Sequence, residues 1–207
     1  YYSLLSPLWD IQVAMLFSHL CPAYLPLILS CNQPAGAAAS RWCGRCAKCA
    51  FVAAVLGAFF PVRDVRSIFG DDVFEAPDLA ALLDQLGGLC IDAEYVAGAV
   101  LPDSLPQCAR NSCCMLANNW KPMECVGNHD ETRLALQLVA ARYLHEGRNL
   151  PRYFTEARCV ALGVHTRTGR AEEELLLDWG SEHLLPSTLL SDALKEALQR
   201  AHASLPT

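Results

Sequence analysis

The sequence predicts a helix-rich α/β fold, and three observations carry that reading. Apolar residues recur at three- and four-residue spacing in 7–19, 129–146 and 186–203, the period of a helix with one buried face. Residues 46–60 are apolar almost throughout, so a helix there has no polar face for water and belongs in the core. A single short run, 25–30 (L-P-L-I-L-S), reads as a buried strand or the end of one, which keeps strand content small.

In chain order, the helix over 7–19 (P-L-W-D-I-Q-V-A-M-L-F-S-H) is expected to bury Leu8, Ile11, Met15 and Leu16 or Phe17. The apolar helix over 46–60 follows, is stopped by Pro61, and is expected to be the most buried element of the chain. Two shorter helices span 61–69 and 77–86; Pro77 suits a first turn, and Gly87-Gly88 ends the second. Residues 98–119 lack periodicity and carry Pro102, Pro106, Cys108 and the vicinal pair Cys113-Cys114, so they read as an irregular loop or insertion. The helix over 129–146 has Asn128 as N-cap, Asp130 and Glu131 in its first turn where acidic groups suit the dipole, and Gly147 as its stop. Residues 166–170 are polar and turn-like, and 172–174 form a solvated acidic face. A last helix over 186–203 has Ser187 or Ser191 available as a cap.

The composition narrows the functional classes. At 207 residues the chain can bury a real core, as a single domain or as the C-terminal portion of a larger enzyme. It opens on Tyr-Tyr-Ser without methionine, which favours the second. Net charge is −6, which argues against a general nucleic-acid binder; Arg41, Arg45 and Lys48 are the local basic exception. The apolar run 51–62 falls short of the ~20 residues a membrane span needs. Eleven cysteines are an odd count, and no positively charged leader precedes the first apolar segment. A reducing compartment is the expectation: the cytoplasm, or the plastid stroma in an alga or plant.

Four of those cysteines carry the strongest chemical signal. Cys31, Cys43, Cys46 and Cys49 are spaced C-x11-C-x2-C-x2-C. A two-residue gap lets neighbouring thiolates turn toward one ion, and Gly44 permits the tight turn between Cys43 and Cys46. Cys31 arrives across the small residues of 35–40. Four soft thiolates leave no open coordination position, so the expectation for 31–49 is a structural zinc knuckle. Zn–S bonds of about 2.3 Å would bring the sulfurs within about 4 Å of one another. The alternative is a set of ordinary buried thiols or a redox pair.

With those residues in view, two family resemblances meet at the same segment. The C-G-x-C centre resembles the zinc knuckle of the 7-cyano-7-deazaguanine synthases, adenylating enzymes of the PP-loop ATP pyrophosphatase superfamily. A wider series runs S-P-L-W-D-I-Q-V-A at 6–14, L-S-C-N-Q at 29–33, R-W-C-G-R-C-A-K-C-A-F-V at 41–52, I-F-G at 68–70 and E-C-V-G at 124–127. It resembles the C-terminal part of the UDP-N-acetylmuramoyl-L-alanyl-L-glutamate epimerases, over residues 6–75 and 120–145. That resemblance implies the C-terminal part of a PP-loop (adenine nucleotide alpha hydrolase-like) enzyme. It also implies ATP and magnesium, and a nucleotide-sugar peptide substrate whose terminal L-glutamate is activated as an acyl-adenylate and inverted in peptidoglycan precursor synthesis. PP-loop enzymes hold pyrophosphate with S-G-G-x-D-S, which does not occur in these 207 residues, so the resemblance puts that loop upstream of Tyr1.

Individual residues then take expected roles. Arg45 and Lys48 flank the cysteines and would contact phosphates or the substrate carboxylate; alternatively they are a solvated rim offsetting the charge of a four-thiolate zinc. Cys125, with Glu124 beside it and His129 nearby, would supply acid/base chemistry, a thiol being suited to α-proton transfer when its pKa is lowered; the alternative is a buried thiol before a turn. Asp130, Glu131 and Arg133 are assigned to the helix surface, and Cys113-Cys114 to no second metal site. His19, His145, His165, His183 and His202 are dispersed and form no ligand set. Outside enzymes, the competing readings are a zinc-stabilised interaction module and a disulfide-rich protein.

Overall fold

The computed structural model describes residues 5–31, 42–89, 126–164, 170–179 and 191–205, and all regular structure within them is helical. Among the described residues the α-helices are α1 (Asp10–Leu20), α2 (Ala47–Gly57), α3 (Val62–Phe69), α4 (Ala80–Leu86), α5 (His129–His145), α6 (Glu156–Leu162), α7 (Arg170–Leu177) and α8 (Ser191–Ala203). None of the described helices is long and apolar enough to cross a membrane.

α2 sits at the centre because its sequence A-K-C-A-F-V-A-A-V-L-G gives water almost nothing to solvate; every residue but Lys48 and Val52 is buried. It packs most extensively on α5, and α4, α1 and α3 surround it. Small residues set how closely α2 and α5 approach. A Cβ on Gly57 would stand 3.0 Å from Val139 Cγ2. The expected burial of α1 is met, with Ile11, Met15 and Leu16 in the core and Leu8 and Phe17 half-buried. The apolar stretch expected over 46–60 stops being α-helix at Gly57, and Ala58–Phe60 form a tight turn. Arg142 of α5 caps that turn by donating to the carbonyls of Ala58 and Phe59, both at 3.3 Å. Pro61 then starts α3, whose first free N–H, on Val62, donates to Glu146 at 3.0 Å.

The strand expected over 25–30 is absent. Pro22–Leu27 is a 3-10 helix, and 28–31 continue without regular structure. Pro22 and Pro26 set φ near the helical value and lack the N–H a strand ladder needs, which outweighs the apolar composition. Only Leu25 of the six is buried, so burial does not supply the two-faced packing of a central strand. The helix-rich expectation is met, and among the described residues there is no strand.

α5 is the strut of the fold, and its N-terminal turn is richer in polar contacts than the sequence suggests. Asn128 caps it as expected, Oδ1 accepting from Glu131 N–H at 2.8 Å. Glu131 returns the bond, accepting from Asn128 N–H at 3.0 Å to complete a capping box. Its other oxygen accepts from Ile11 N–H at 3.3 Å, tying α5 to the start of α1. Glu131 is therefore core, 2 % exposed, and not a surface residue; burial raises its pKa while the backbone donors oppose that shift. Arg133 is also turned inward, donating to the carbonyls of Gly87 and Gly88 at 2.6 and 2.8 Å and so capping α4. His129 joins it there, Nδ1 donating to Leu86 O at 2.9 Å. Helix α6 lay outside the sequence reading. Thr155 caps it, and Gly163 ends it in the left-handed conformation (φ 70°). Residues 98–119 and 166–169 lie outside the described residues, as do the potential caps at Ser187 and the side chain of Ser191.

Gly127 has no room for a side chain. A Cβ there would lie 2.5 Å from Phe51 Cζ and 2.7 Å from Glu131 Oε2, so the entry to α5 presses backbone against α2. Gly127→Ala is expected to cost ~2 kcal/mol or more, because both neighbours are buried and neither can swing into solvent. Urea unfolding measures it, and an unchanged midpoint would contradict the close approach.

Candidate metal centre

Two elements bring the cysteines together. Cys31 lies four residues beyond the 3-10 helix Pro22–Leu27, and Cys43, Cys46 and Cys49 lie on the turn that opens α2. The turn is possible because Gly44 takes φ 66°, where a side chain would be strained. Cys46 is the N-cap of α2, its sulfur accepting from Cys49 N–H at 3.4 Å, so one residue serves both helix and cluster. Trp42 anchors the near side. It is 4 % exposed, and its ring centre lies 4.8 Å from that of Phe69. That contact was not read from the sequence, although an aromatic beside the first C-x2-C cysteine was the signal for it.

All four sulfurs lie within 4.8 Å of one another, and Cys43 Sγ is 3.6 Å from Cys49 Sγ. The spread is somewhat wider than the 4 Å expected, but the convergence of Cys31 on the other three is as the spacing predicted. Cys49 is fully buried, and the other three are half-buried. The donor set is closed, soft and seated at the mouth of a core helix, and it is close enough to hold one thiophilic ion.

The electrostatics show what that ion would supply. Burial pushes the Cys43 thiol up, but the Arg45 backbone N–H and the neighbouring sulfurs outweigh it and lower its pKa to about 7. Burial dominates at Cys46 and Cys49 and raises both, with the adjacent sulfurs adding to the rise at Cys49. Four thiolates packed together repel one another, and a dication is the natural counter-charge. Backbone donors already point at sulfur from Arg45, Cys49 and Gly44, the arrangement that steadies metal-bound thiolates.

The remaining site residues are placed unequally. Arg45 is exposed and Lys48 half-buried, flanking the cluster, and neither forms an ion pair among the described residues. Cys125 and Glu124 lie outside the described residues, which resume at Val126. The structure thus joins the four cysteines and the two basic residues at one end of α2, and it leaves the acid/base pair unplaced.

Four cysteines converging at the head of a buried helix define a protein with a candidate metal site, close enough to hold one ion. Residues 27–95, which include all four cysteines, match the family described as the MurL C-terminal domain. Three curated relatives carry the name UDP-N-acetyl-alpha-D-muramoyl-L-alanyl-L-glutamate epimerase. That of Xanthomonas oryzae pv. oryzae is 31% identical over 150 residues, covering 69% of this chain and 26% of the relative. Those of a Micromonospora species and Salinispora tropica are 29% and 28% identical, covering 68% and 67% of this chain and 25% and 24% of theirs. The chain is similar to the C-terminal part of these epimerases. It spans about a quarter of the length of the curated relatives it matches. No solved structure matches the chain significantly.

Proposed function

We propose that this chain is the zinc-holding C-terminal part of an ATP- and magnesium-dependent, PP-loop epimerase. It would invert the terminal L-glutamate of UDP-N-acetylmuramoyl-L-alanyl-L-glutamate through an acyl-adenylate. The observation that carries the reading is the match of residues 27–95 to the MurL C-terminal domain, with the four converging sulfurs inside that segment. Cys31, Cys43, Cys46 and Cys49 would hold a zinc whose task is structural, since four thiolates leave substrate no coordination position. Compartment follows from chemistry: ATP, a nucleotide-linked substrate and reduced thiolates all belong to the cytoplasm.

The proposed reaction has a clear physical logic. An α-proton beside a free carboxylate is very weakly acidic, because its removal piles charge on charge. Adenylation removes the carboxylate charge and gives the developing enolate a carbonyl oxygen to occupy. Cys125 and Glu124 are the proposed proton-transfer groups. Arg45 and Lys48 are the proposed contacts to phosphate or to the substrate carboxylate.

The test uses this chain extended upstream through a segment carrying S-G-G-x-D-S. With UDP-N-acetylmuramoyl-L-alanyl-L-glutamate, ATP and magnesium, the extended protein is expected to release pyrophosphate and to exchange the glutamate α-proton with solvent deuterium. The 207-residue chain alone is expected to do neither. Cys125→Ser in the extended protein should abolish exchange while leaving adenylation measurable. An extended protein that consumes no ATP and exchanges no proton would end the epimerase reading in favour of a zinc-stabilised interaction module.

A further inference from the structure

From the end of α1 to Cys31, the chain turns apolar side chains outward. Leu20, Tyr24, Leu27 and Leu29 are 60%, 61%, 66% and 44% exposed, four large apolar groups within ten residues. No charged residue occurs from Leu20 to Cys31. Tyr24 and Leu27 are three apart on the 3-10 helix Pro22–Leu27, so they stand one above the other on the same outward face. Leu25, on the other side, is buried and fixes which face that is. Pro22 and Pro26 stiffen the segment, so docking onto it would cost little chain entropy. Scattered exposed leucines are ordinary; a stiff, uncharged run presenting a paired Tyr-Leu face is the kind of surface that a partner covers.

We propose that this face is where the upstream part of the longer epimerase packs, the part expected to carry the pyrophosphate loop. The inference rests on the proposed function. Its occupant follows from the relatives: residues 27–95 match a C-terminal domain, and the aligned segment is about a quarter of each relative's length, so most of such a protein precedes this surface. Docking there would place the nucleotide-binding part beside the segment that leads directly into Cys31. The knuckle would then brace the interdomain surface as well as α2.

Hydroxyl-radical footprinting with peptide mass spectrometry, on the 207-residue chain and on its upstream-extended form, reads the proposal directly. Oxidation of Tyr24 and Leu27 is expected to fall at least about threefold in the extended protein, while exposed Val160, on α6, labels equally in both. Tyr24→Glu/Leu27→Glu in the extended protein should keep its zinc and helical circular dichroism, yet restore labelling of Leu20 and Leu29. Equal labelling in the two forms overturns the proposal even if the extended protein is an active epimerase. Concentration-dependent protection in the 207-residue chain alone would also overturn it, since a second copy would then be the occupant. An extended protein without pyrophosphate release, but with Tyr24 and Leu27 protected, would sink the epimerase reading and leave the docking face standing.

Discussion

If the four cysteines hold zinc as proposed, a zinc chelator is expected to lower the Tm of this protein by ~8–16 °C and to expose Trp42. Structural zinc supplies ~10–16 kcal/mol of apparent binding energy in small zinc-finger peptides. If only ~4 kcal/mol of that is coupled to folding here, a shift of ~2–4 °C per kcal/mol for a chain of this size gives the expected range. The coupling is structural. Cys49 is 0 % exposed, and Cys46 caps the most buried helix, so emptying the site leaves these thiols without the ion that would draw them together. Cys46→Ser separates ligand from cap. A serine oxygen can still accept the N–H of residue 49, so α2 keeps its cap while the knuckle loses a thiolate. Metal analysis of reductively purified protein should find about one zinc per chain in the wild type and substantially less in the variant. Unchanged zinc content and an unchanged melting temperature would show that the four sulfurs converge without binding.

Arg158→Met is expected to destabilise the fold by ~3–5 kcal/mol, for an unrelated reason. The Arg158 guanidinium grips Asp84 through two bonds of 2.9 and 2.8 Å, with the two side chains 9% and 12% exposed. Tyr153 O–H also donates to Asp84 at 3.1 Å, and Arg158 lies 5.0 Å above the Tyr153 ring. Removing the arginine strands a carboxylate where water cannot replace its partner. Asp84→Asn combined with Arg158→Met should recover more than half of the loss, because no charge is then left unpaired and the amide oxygen still accepts from Tyr153. Equilibrium unfolding in urea of the two singles and the double decides it. A double variant no better than Arg158→Met would show that packing, and not the orphaned charge, carries the cost.

Local chemistry was legible in the sequence wherever its cause is local. The capping of α5 by Asn128, the opening of α3 at Pro61 and the opening of the 77–86 segment at Pro77 all follow from residues within one helical turn of the feature. The four-cysteine cluster belongs with them for a stronger reason. Three of its members fall within seven residues, and soft donors at that spacing have few other uses. The apolar run at 25–30 has a strand's composition, but Pro22 and Pro26 lack the N–H groups that a strand ladder requires.

By itself, then, the sequence determined the cap of α5, which helix forms the core, which thiols converge and which family the chain resembles. Tertiary structure alone decided the fate of groups whose partners lie far along the chain. Glu131 looked like a surface acid until Ile11, 120 residues away, donated its N–H to it. Arg158 found Asp84 across 74 residues, and Arg133 found the end of α4 across 46. A helical period says that a charged residue stands on one face or another, but a charge enters a core only if a complementary group is delivered to the same place. That delivery depends on how the helices pack, and no local pattern encodes it.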